Sequence, residues 1–259
     1  MGCRSCVIHT AEEISRIRVA AAATAEVRDQ LRELAYPGMT TLELDQLAGR
    51  LIADRGGRSA FLGYYGYPGQ ICISVNEEVV HGIGRADRVL QDTDIVSIDI
   101  GVEIDGACGD TALTFGFDEK NMPESTRHLL EHTHKALLAG LAAARAGRYV
   151  RDISAAIEQV AKRAGLGVVR DYVGHGCGIK LHEPPEVPNF VSPSRGPRLE
   201  PGMVLAVEPM FNQGTFKVVL DRDDGWTVRT RDGSLSAHFE HMVLITEHEP
   251  EILTWPKTM

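Results

Sequence analysis

The stretch DIVSIDIGVEIDGACGDT, residues 94–111, decides the fold. Its β-branched apolar residues, among them Ile95 and Ile98, are typical of a buried strand. Asp105 and Gly106 then form a tight-turn dipeptide, and a second short strand follows directly. The sequence therefore predicts a β-hairpin that turns at Asp105-Gly106.

Two carboxylates do not fit a plain hairpin. Asp99 lies inside the apolar run and Asp110 lies on the return strand, so the turn is expected to bring them opposite one another. Two unpaired buried carboxylates repel each other and require a cation or a shared proton between them. In the alternative interpretation, one aspartate caps a strand end and the other lies in a loop. Further ligands elsewhere in the chain would favour a metal site.

Such ligands occur in the second half of the chain. His175 stands between Gly174 and Gly176, where the backbone can crowd a ligand, and Glu208 and Glu240 each interrupt an apolar run that predicts a strand. Four carboxylates and one histidine suit a pair of divalent ions, because a structural zinc prefers thiolates and four ligands. Carboxylates can hold such ions roughly 3.5–4 Å apart with a water between them, an arrangement suited to hydrolysis of an amide or ester.

The sequence around these residues repeats one pattern. Helices are predicted over residues 11–35 and 41–55, and again from about 123 to 145 and from about 151 to 163. This weak, ordered repeat predicts an α/β (α+β) fold of two halves related by a pseudo-twofold, with helices covering a central antiparallel sheet.

The predicted domain organisation is simple. We expect a short N-terminal tail at 1–10, a single catalytic domain over 11–252 and a C-terminal tail at 253–259. The two halves of the domain would span about 11–118 and 123–252.

Composition excludes several classes of protein. With 43% hydrophobic and 24% charged residues, the chain has the composition of an ordinary soluble globular protein. Its net charge of −9 argues against a nucleic-acid-binding surface, and no apolar run approaches the roughly 20 residues of a membrane span. The odd count of five cysteines indicates a reducing cytoplasm, and Cys3 and Cys6 have no second pair to complete a zinc site.

Residues 60–69, AFLGYYGYPG, combine rigid aromatic rings with flexible glycines. This composition suits the wall of a substrate pocket, although a packed loop would look similar. His81 and His182 are left over as groups that could handle protons near pH 7. A lone histidine such as His81, after an apolar pair, is more often structural.

Together these motifs resemble those of the type I methionine aminopeptidases, which have the pita-bread metallopeptidase fold. The resemblance covers the chain from about His9 to Ile252, and its motifs are highly specific as a set. They are residues 64–68, 72–77, 81–83, Asp99 with Asp110, 174–176, 182–185, 208–210 and 236–241.

The resemblance implies removal of the N-terminal methionine from nascent proteins whose second residue is small, through attack by a bridging water at a two-metal site. The implied metal ligands are Asp99, Asp110, His175, Glu208 and Glu240. Asp110 and Glu240 would bridge two divalent ions, which could be cobalt, manganese, iron, zinc or nickel. Asp99 would complete one ion, and His175 and Glu208 the other. His81, His182 and Glu208 match catalytic positions, with Glu208 as the base that takes the proton of the water.

The resemblance also implies a methionine pocket. Its lining would be Tyr64, Tyr67, Cys72, His81 and Trp226, with Leu181 and His182 beside it. The chain departs from the family at Leu181, where bacterial relatives commonly carry an aromatic residue, at Phe61, often cysteine, and at Tyr65, commonly histidine. These departures affect the shape of the pocket rather than the reaction.

The implied partners are N-terminal methionyl peptides and nascent chains, with possible action at the ribosome. A cytoplasmic monomer is expected, with neither nucleic acid as substrate nor a membrane. One alternative is an Xaa-Pro aminopeptidase or prolidase of the same fold, although those enzymes usually carry an additional N-terminal domain. Another is a non-catalytic binding protein, which would be expected to have lost ligands, whereas all five are present here.

Overall fold

The computed structural model describes residues 6–255 of the chain. The helices are α1 Ala11–Leu34, α2 Thr41–Asp54, α3 Glu124–Ala143 and α4 Val150–Ala164. The strands are β1 Arg58–Ser59, β2 Cys72–Val75, β3 Glu78–Val80, β4 Ile95–Ile104, β5 Ala107–Gly116, β6 Gly167–Val168, β7 Gly174–Gly176, β8 Glu183–Val187, β9 Val204–Val207, β10 Met210–Asn212, β11 Val218–Leu220, β12 Val228–Thr230, β13 Ser236–His238, β14 His241–Leu244 and β15 Glu251–Ile252. All strand pairings in this part of the chain are antiparallel.

The first two helices begin with the same local device. The N–H of Glu13 donates to the hydroxyl of Thr10, while the carboxylate of Glu13 accepts from the N–H of Thr10. Thr40 and Glu43 form the same capping box at α2. Each box satisfies two backbone donors that a helix N-terminus leaves unpaired, so both helix starts are fixed by local sequence.

The β4–β5 hairpin is longer than its sequence signal alone suggests. Asp105 and Gly106 make the turn with positive φ angles of 49° and 68°. Because the turn takes only these two residues, Asp99 pairs with Ala112, and Asp110 pairs with Gly101. The prediction that the two aspartates lie directly opposite one another is therefore wrong. They are diagonal neighbours on one face of the hairpin.

A second ribbon carries the two glutamates. Val207 pairs with His241 and Met210 pairs with His238, so the same two segments are joined on both sides of a two-residue gap. In this gap Glu208-Pro209 faces Phe239-Glu240, and the N–H of Phe239 donates to the carbonyl of Pro209 at 3.3 Å. The prediction that both glutamates lie inside strands is wrong, because the strands stop on either side of the gap. Pro209 has no N–H to continue the ladder through it.

The helices pack in pairs on the strands. α1 lies along β4 and β5, and α3 and α4 pack against each other in the second half. A Cβ at Gly109 of β5 would lie 2.2 Å from the hydroxyl oxygen of Thr24 and 2.6 Å from the carbonyl oxygen of Ala20. Glycine on the strand and alanine on the helix therefore let α1 approach the hairpin closely.

The ends of the described chain are held by the core. His9, Leu253 and Thr254 are buried, and the partly buried Cys6 packs on the cluster around α3 and α4. Cys3, the other cysteine of the pair, lies outside the described residues. The domain boundaries at 10 and 252 remain a prediction. Among residues 6–255, none of the helices is sufficiently long and apolar to cross a membrane.

Candidate metal centre

One cavity of about 960 Å³ opens between the hairpin, the gapped ribbon and the aromatic loop at 61–67. It is lined by all of the site residues predicted from the sequence. They are Tyr64, Tyr67, Cys72, His81, Asp99, Asp110, His175, Leu181, His182, Glu208, Trp226 and Glu240.

Acidic and imidazole groups meet at the floor of this cavity. One ligand atom each from Asp110, His175 and Glu240 lie within 4.8 Å of one another. Nε2 of His175 also lies 3.3 Å from Oε1 of Glu208 and 3.8 Å from Oδ2 of Asp110. Residues of a hairpin, a short strand and the gapped ribbon, far apart in sequence, therefore form one cluster.

The buried oxygens of this cluster fit a cation. Oδ1 of Asp99, Oδ1 of Asp110 and Oε1 of Glu240 have no hydrogen-bond partner within the described part of the chain. A buried polar atom without a partner is costly, and a buried charge costs more unless a counter-ion or metal accompanies it. Carboxylate oxygens with one imidazole are the donor set of hard to intermediate divalent ions. The residues present thus fit the metal centre that the sequence predicts.

The ionisation of the carboxylates leads to the same conclusion. Burial, followed by the charges of its acidic neighbours, raises the pKa of Asp110 and of Glu240 well above the ordinary values. Burial raises the pKa of Asp99 to about 7 and that of Glu208 to about 8. A bound divalent cation favours the charged forms and would reverse these shifts.

His175 is held in the form that binds a metal. Its Nδ1 lies 2.9 Å from the carbonyl oxygen of Gly176, so Nδ1 carries the proton and Nε2 presents its lone pair to the cluster. Burial, with a smaller contribution from His182, lowers the pKa of His175 to about 3 and keeps the ring neutral.

The glycines beside His175 have a different role from the one predicted. A Cβ at Gly174 would lie 2.4 Å from the carbonyl oxygen of Ala206, and one at Gly176 would lie 2.6 Å from that of Pro184. These glycines admit neighbouring strand backbone rather than a ligand, which corrects the sequence interpretation.

Arg28 and Thr111 hold the backbone of Glu240 through buried hydrogen bonds. The sequence interpretation did not identify either residue. Arg28 is buried on α1, and its Nη1 donates to the hydroxyl of Thr111 at 2.9 Å and to the carbonyl of Thr254 at 3.1 Å. The hydroxyl of Thr111 in turn donates to the carbonyl of Glu240 at 2.8 Å. This network fixes the backbone that carries Glu240.

His238 is another residue that the sequence interpretation did not assign. It is 1% exposed, and its Nε2 lies 3.4 Å from Oε2 of Glu208. Its backbone N–H donates to the hydroxyl of Thr114, which donates to the carbonyl of His238, both at 2.8 Å. The signal was present, since His238 lies within the motif at 236–241 that contains Glu240.

The two predicted catalytic histidines lie at the edge of the cluster. His81 has a positive φ of 60°, and burial lowers its pKa to about 4, so its ring is neutral. The ring of His182 lies 4.1 Å from that of His175, centroid to centroid, and its Nδ1 lies 3.0 Å from the hydroxyl of Tyr64. Both residues line the cavity that opens over the carboxylates.

The wall of the cavity beside the metal cluster is apolar. Tyr67 is buried and directs its hydroxyl to the carbonyl oxygen of Gly82 at 2.7 Å, and its ring meets that of Trp226 edge to face at 5.2 Å. Leu181 is 4% exposed. It lines the cavity, as predicted, and also packs in a core cluster with Phe61.

Comparison with known proteins places this geometry in a family. The model of metallopeptidase family M24 matches residues 15–247. A methionine aminopeptidase from Clostridium perfringens is 46% identical over 248 residues, covering 96% of this chain and 98% of that protein. Methionine aminopeptidase 1 from Bacillus subtilis is 45% identical over the same shares of both chains.

Solved structures give the same result. The crystal structure of methionine aminopeptidase from Thermotoga maritima superposes with a TM-score of 0.92 at 39% identity, covering 96% of this chain and 99% of that one. Prolidase from Pyrococcus furiosus superposes with a TM-score of 0.77 at 22% identity and shares the fold, but this chain covers only 66% of it. The predicted pita-bread fold is thus confirmed, and the chain belongs to metallopeptidase family M24.

Proposed function

We propose that this protein is a metal-dependent aminopeptidase that removes the N-terminal methionine from peptides and nascent chains whose second residue is small. The observation that carries the proposal is the cluster of Asp110, His175 and Glu240 ligand atoms within 4.8 Å, on the floor of a cavity with an apolar aromatic wall. The proposal is supported by relatives named methionine aminopeptidase, which match nearly the whole chain.

Five side chains would hold two divalent ions. They are Asp99, Asp110, His175, Glu208 and Glu240. Bound divalent ions at such a site supply Lewis-acid polarisation of the scissile carbonyl and lower the pKa of a water. The unpartnered oxygens of Asp99, Asp110 and Glu240 support this ligand set.

The protein's own groups bind the substrate and move the proton. The pocket beside Tyr67 and Trp226 has an aromatic wall, which suits an unbranched thioether that can bend into place. Glu208, whose carboxylate lies 3.3 Å from Nε2 of His175, would take a proton from the attacking water and return it to the leaving amine. His81 and His182, which line the cavity and whose pKa values are lowered by burial, would hydrogen-bond the scissile amide and its carbonyl oxygen. The second residue must lie across the carboxylate floor, so a small side chain fits best.

The test uses metal-free protein loaded in turn with cobalt, manganese, iron, zinc or nickel. We expect Met-Ala-Ser to be cleaved rapidly, Met-Trp poorly and Ala-Pro-Ala hardly at all. A norleucyl peptide should also be cleaved, because it differs from a methionyl peptide by a methylene group in place of the sulfur. A difference of one such group in an apolar pocket changes the binding free energy by only about 1–3 kcal/mol. Equal rates on Met-Gly and Met-Trp would contradict the selectivity, and cleavage of Ala-Pro-Ala alone would indicate a prolidase-type activity.

Metal stoichiometry is measured separately. Calorimetric titration of the wild type should reach two ions per chain, and Glu240→Ala should reduce both occupancy and turnover because one carboxylate would no longer serve both ions. Normal turnover and metal content in Glu240→Ala would show that the ligand assignment is wrong. We further propose a cytoplasmic monomer that acts on chains emerging from the ribosome. Sedimentation and co-pelleting with ribosomes test these two points.

A further inference from the structure

The cavity extends beyond the metal cluster and the aromatic wall. Its lining continues to the first turn of α4 and to the loop at 192–197. A smaller cavity of about 360 Å³ adjoins it and is lined by Tyr149, Asp152 and Ala155 together with Arg151 and Arg195. Arg151 and Arg195 line both cavities, and we call the region where the two cavities meet the passage.

Backbone pairing holds these two arginines in place. Residues 147–151 and 195–199 run side by side through hydrogen bonds of 2.7–3.1 Å, one of them from the N–H of Arg151 to the carbonyl of Arg195. The guanidinium carbon of Arg195 lies 5.4 Å from the ring centroid of Tyr149, a cation–π contact that orients the side chain. The passage is therefore bordered by two cations on ordered backbone.

Within the described part of the chain, neither guanidinium is paired with a carboxylate. Other arginines of this acidic chain form close ion pairs with carboxylates, as Arg18, Arg58, Arg85 and Arg145 do. Arg151 and Arg195 make no ion pair with any carboxylate of residues 6–255. The nearby carboxylate of Asp152 accepts from the N–H of Tyr149 at 2.8 Å and so serves as a helix cap.

Two acids outside the metal cluster, Glu183 and Glu186, also line the cavity. Glu183 accepts from the N–H groups of Ile179 and Lys180 and lies 3.2 Å from His9, so it is already engaged. Glu186 is exposed and makes no ion pair with the described residues. The passage thus offers two free guanidinium groups, whose planar donor geometry matches a carboxylate.

We propose that Arg151 and Arg195 form a downstream subsite that binds a carboxylate side chain of the peptide substrate, beyond its second residue. This inference rests on the proposed function, in which methionine enters the aromatic pocket and the scissile amide lies over the carboxylate floor. The rest of the peptide then leaves along the passage, past the two arginines. An aspartate or glutamate at the third, fourth or fifth position is the group that they recognise.

The experiment compares peptides that differ only in charge. Met-Ala peptides carrying glutamate at position three, four or five are measured against peptides with glutamine at the same position. The proteins are the wild type, an Arg151→Gln/Arg195→Gln double variant and an Arg148→Gln control. Arg148 is exposed on the same backbone ribbon and does not belong to the lining of either cavity.

We expect a KM about two- to ten-fold lower for the glutamate peptide at one position, with kcat unchanged, since an exposed bidentate pair stabilises modestly and equally in both states. The preference should weaken at high salt, disappear in the double variant and persist in the Arg148→Gln control. Equal KM values in the wild type at all three positions, or a preference that survives in the double variant, would overturn the subsite.

Failure of the proposed function would give a different result. If no methionyl peptide were cleaved with any metal, the proposed function would fall while the subsite remained measurable. Fluorescence anisotropy of the same peptides, carrying a fluorescent label, then tests whether the subsite binds the glutamate side chain. Tighter binding of the glutamate peptide by the wild type than by the double variant supports the subsite, and equal binding by both refutes it.

Discussion

Removal of the Thr111 hydroxyl tests whether the buried network behind Glu240 supports the metal centre. Thr111→Val keeps the shape of the side chain but deletes the hydrogen bond from Arg28 at 2.9 Å and the one to the Glu240 carbonyl at 2.8 Å. Arg28 retains its bond to the carbonyl of Thr254. The substitution therefore keeps the core packed but removes the hydrogen bond to the Glu240 carbonyl, so that the Glu240 backbone is held by its N–H, which donates to the carbonyl of Ala112 at 2.9 Å.

The expected magnitude follows from these contacts. A hydrogen bond to a charged group contributes about 1.5–3 kcal/mol, and a neutral one about 0.5–1.5 kcal/mol. Thr111→Val should lower the free energy of unfolding by about 2–4 kcal/mol, which corresponds to a fall in Tm of roughly 5–15 °C for a chain of this size. Outer partners of metal ligands typically change metal affinity by about 10- to 100-fold, and we expect a loss in that range.

Urea denaturation and calorimetric metal titration measure the two effects. Thr133→Val is the matched control, because Thr133 is also fully buried but its hydroxyl donates at 2.7 Å to the carbonyl of Leu129 in the same helix. That carbonyl keeps its helical partner, so the control should lose less than about 1 kcal/mol and bind metal normally. If Thr111→Val were no less stable than Thr133→Val and bound metal like the wild type, the supporting role of the network would be refuted.

Further predictions concern the ionisation of the site and its pocket. The pKa values of Asp99, about 7, and Glu208, about 8, are raised above their unfolded values, so in metal-free protein their stabilising contribution is present near pH 4 and is lost towards pH 8. The urea concentration at the unfolding midpoint of metal-free protein should therefore decrease as the pH is raised from 5 to 8. Saturating manganese, or the Glu240→Gln substitution, should make this decrease smaller. An equally steep decrease under both conditions would contradict the prediction. Leu181→Phe should lower KM for methionyl peptides a few-fold with little change in kcat, because an aromatic ring contacts the sulfur in ground and transition states alike; a folded variant with unchanged KM would assign Leu181 to the core alone. His182→Ala should cost about 10²–10⁴ in kcat while atomic absorption still finds bound metal, and metal loss in this variant would place His182 among the ligands.

The parts of the fold that the sequence predicts well are those with local causes. The hairpin turn at Asp105-Gly106 and the helix start at Thr10 depend on residues within a few positions of one another. The prediction that Asp99 lies opposite Asp110 is wrong because a two-residue turn pairs Ile104 with Ala107. This register places Asp99 opposite Ala112.

The parts that the sequence does not reveal depend on partners far apart in the chain. Arg28 meets Thr111 across 83 residues and Thr254 across 226, and Thr111 meets Glu240 across 129. Nothing near Arg28 in sequence distinguishes it from an ordinary helical arginine, because its function is defined only by the burial that the packed helix α1 imposes. His238 is an intermediate case, since its motif was visible but its direction towards Glu208 was not.

The two-residue gap in the ribbon that carries the glutamates makes the metal centre sensitive to chain length. The ladder pairs Val207–His241 and Met210–His238 close the ribbon on both sides, so neither segment can slide alone. An insertion or deletion of one residue in either segment would turn its glutamate to the opposite face, because side-chain direction alternates along a strand. The spacing of the gap, more than the volume of Pro209 or Phe239, is therefore the quantity on which the orientation of both acids depends.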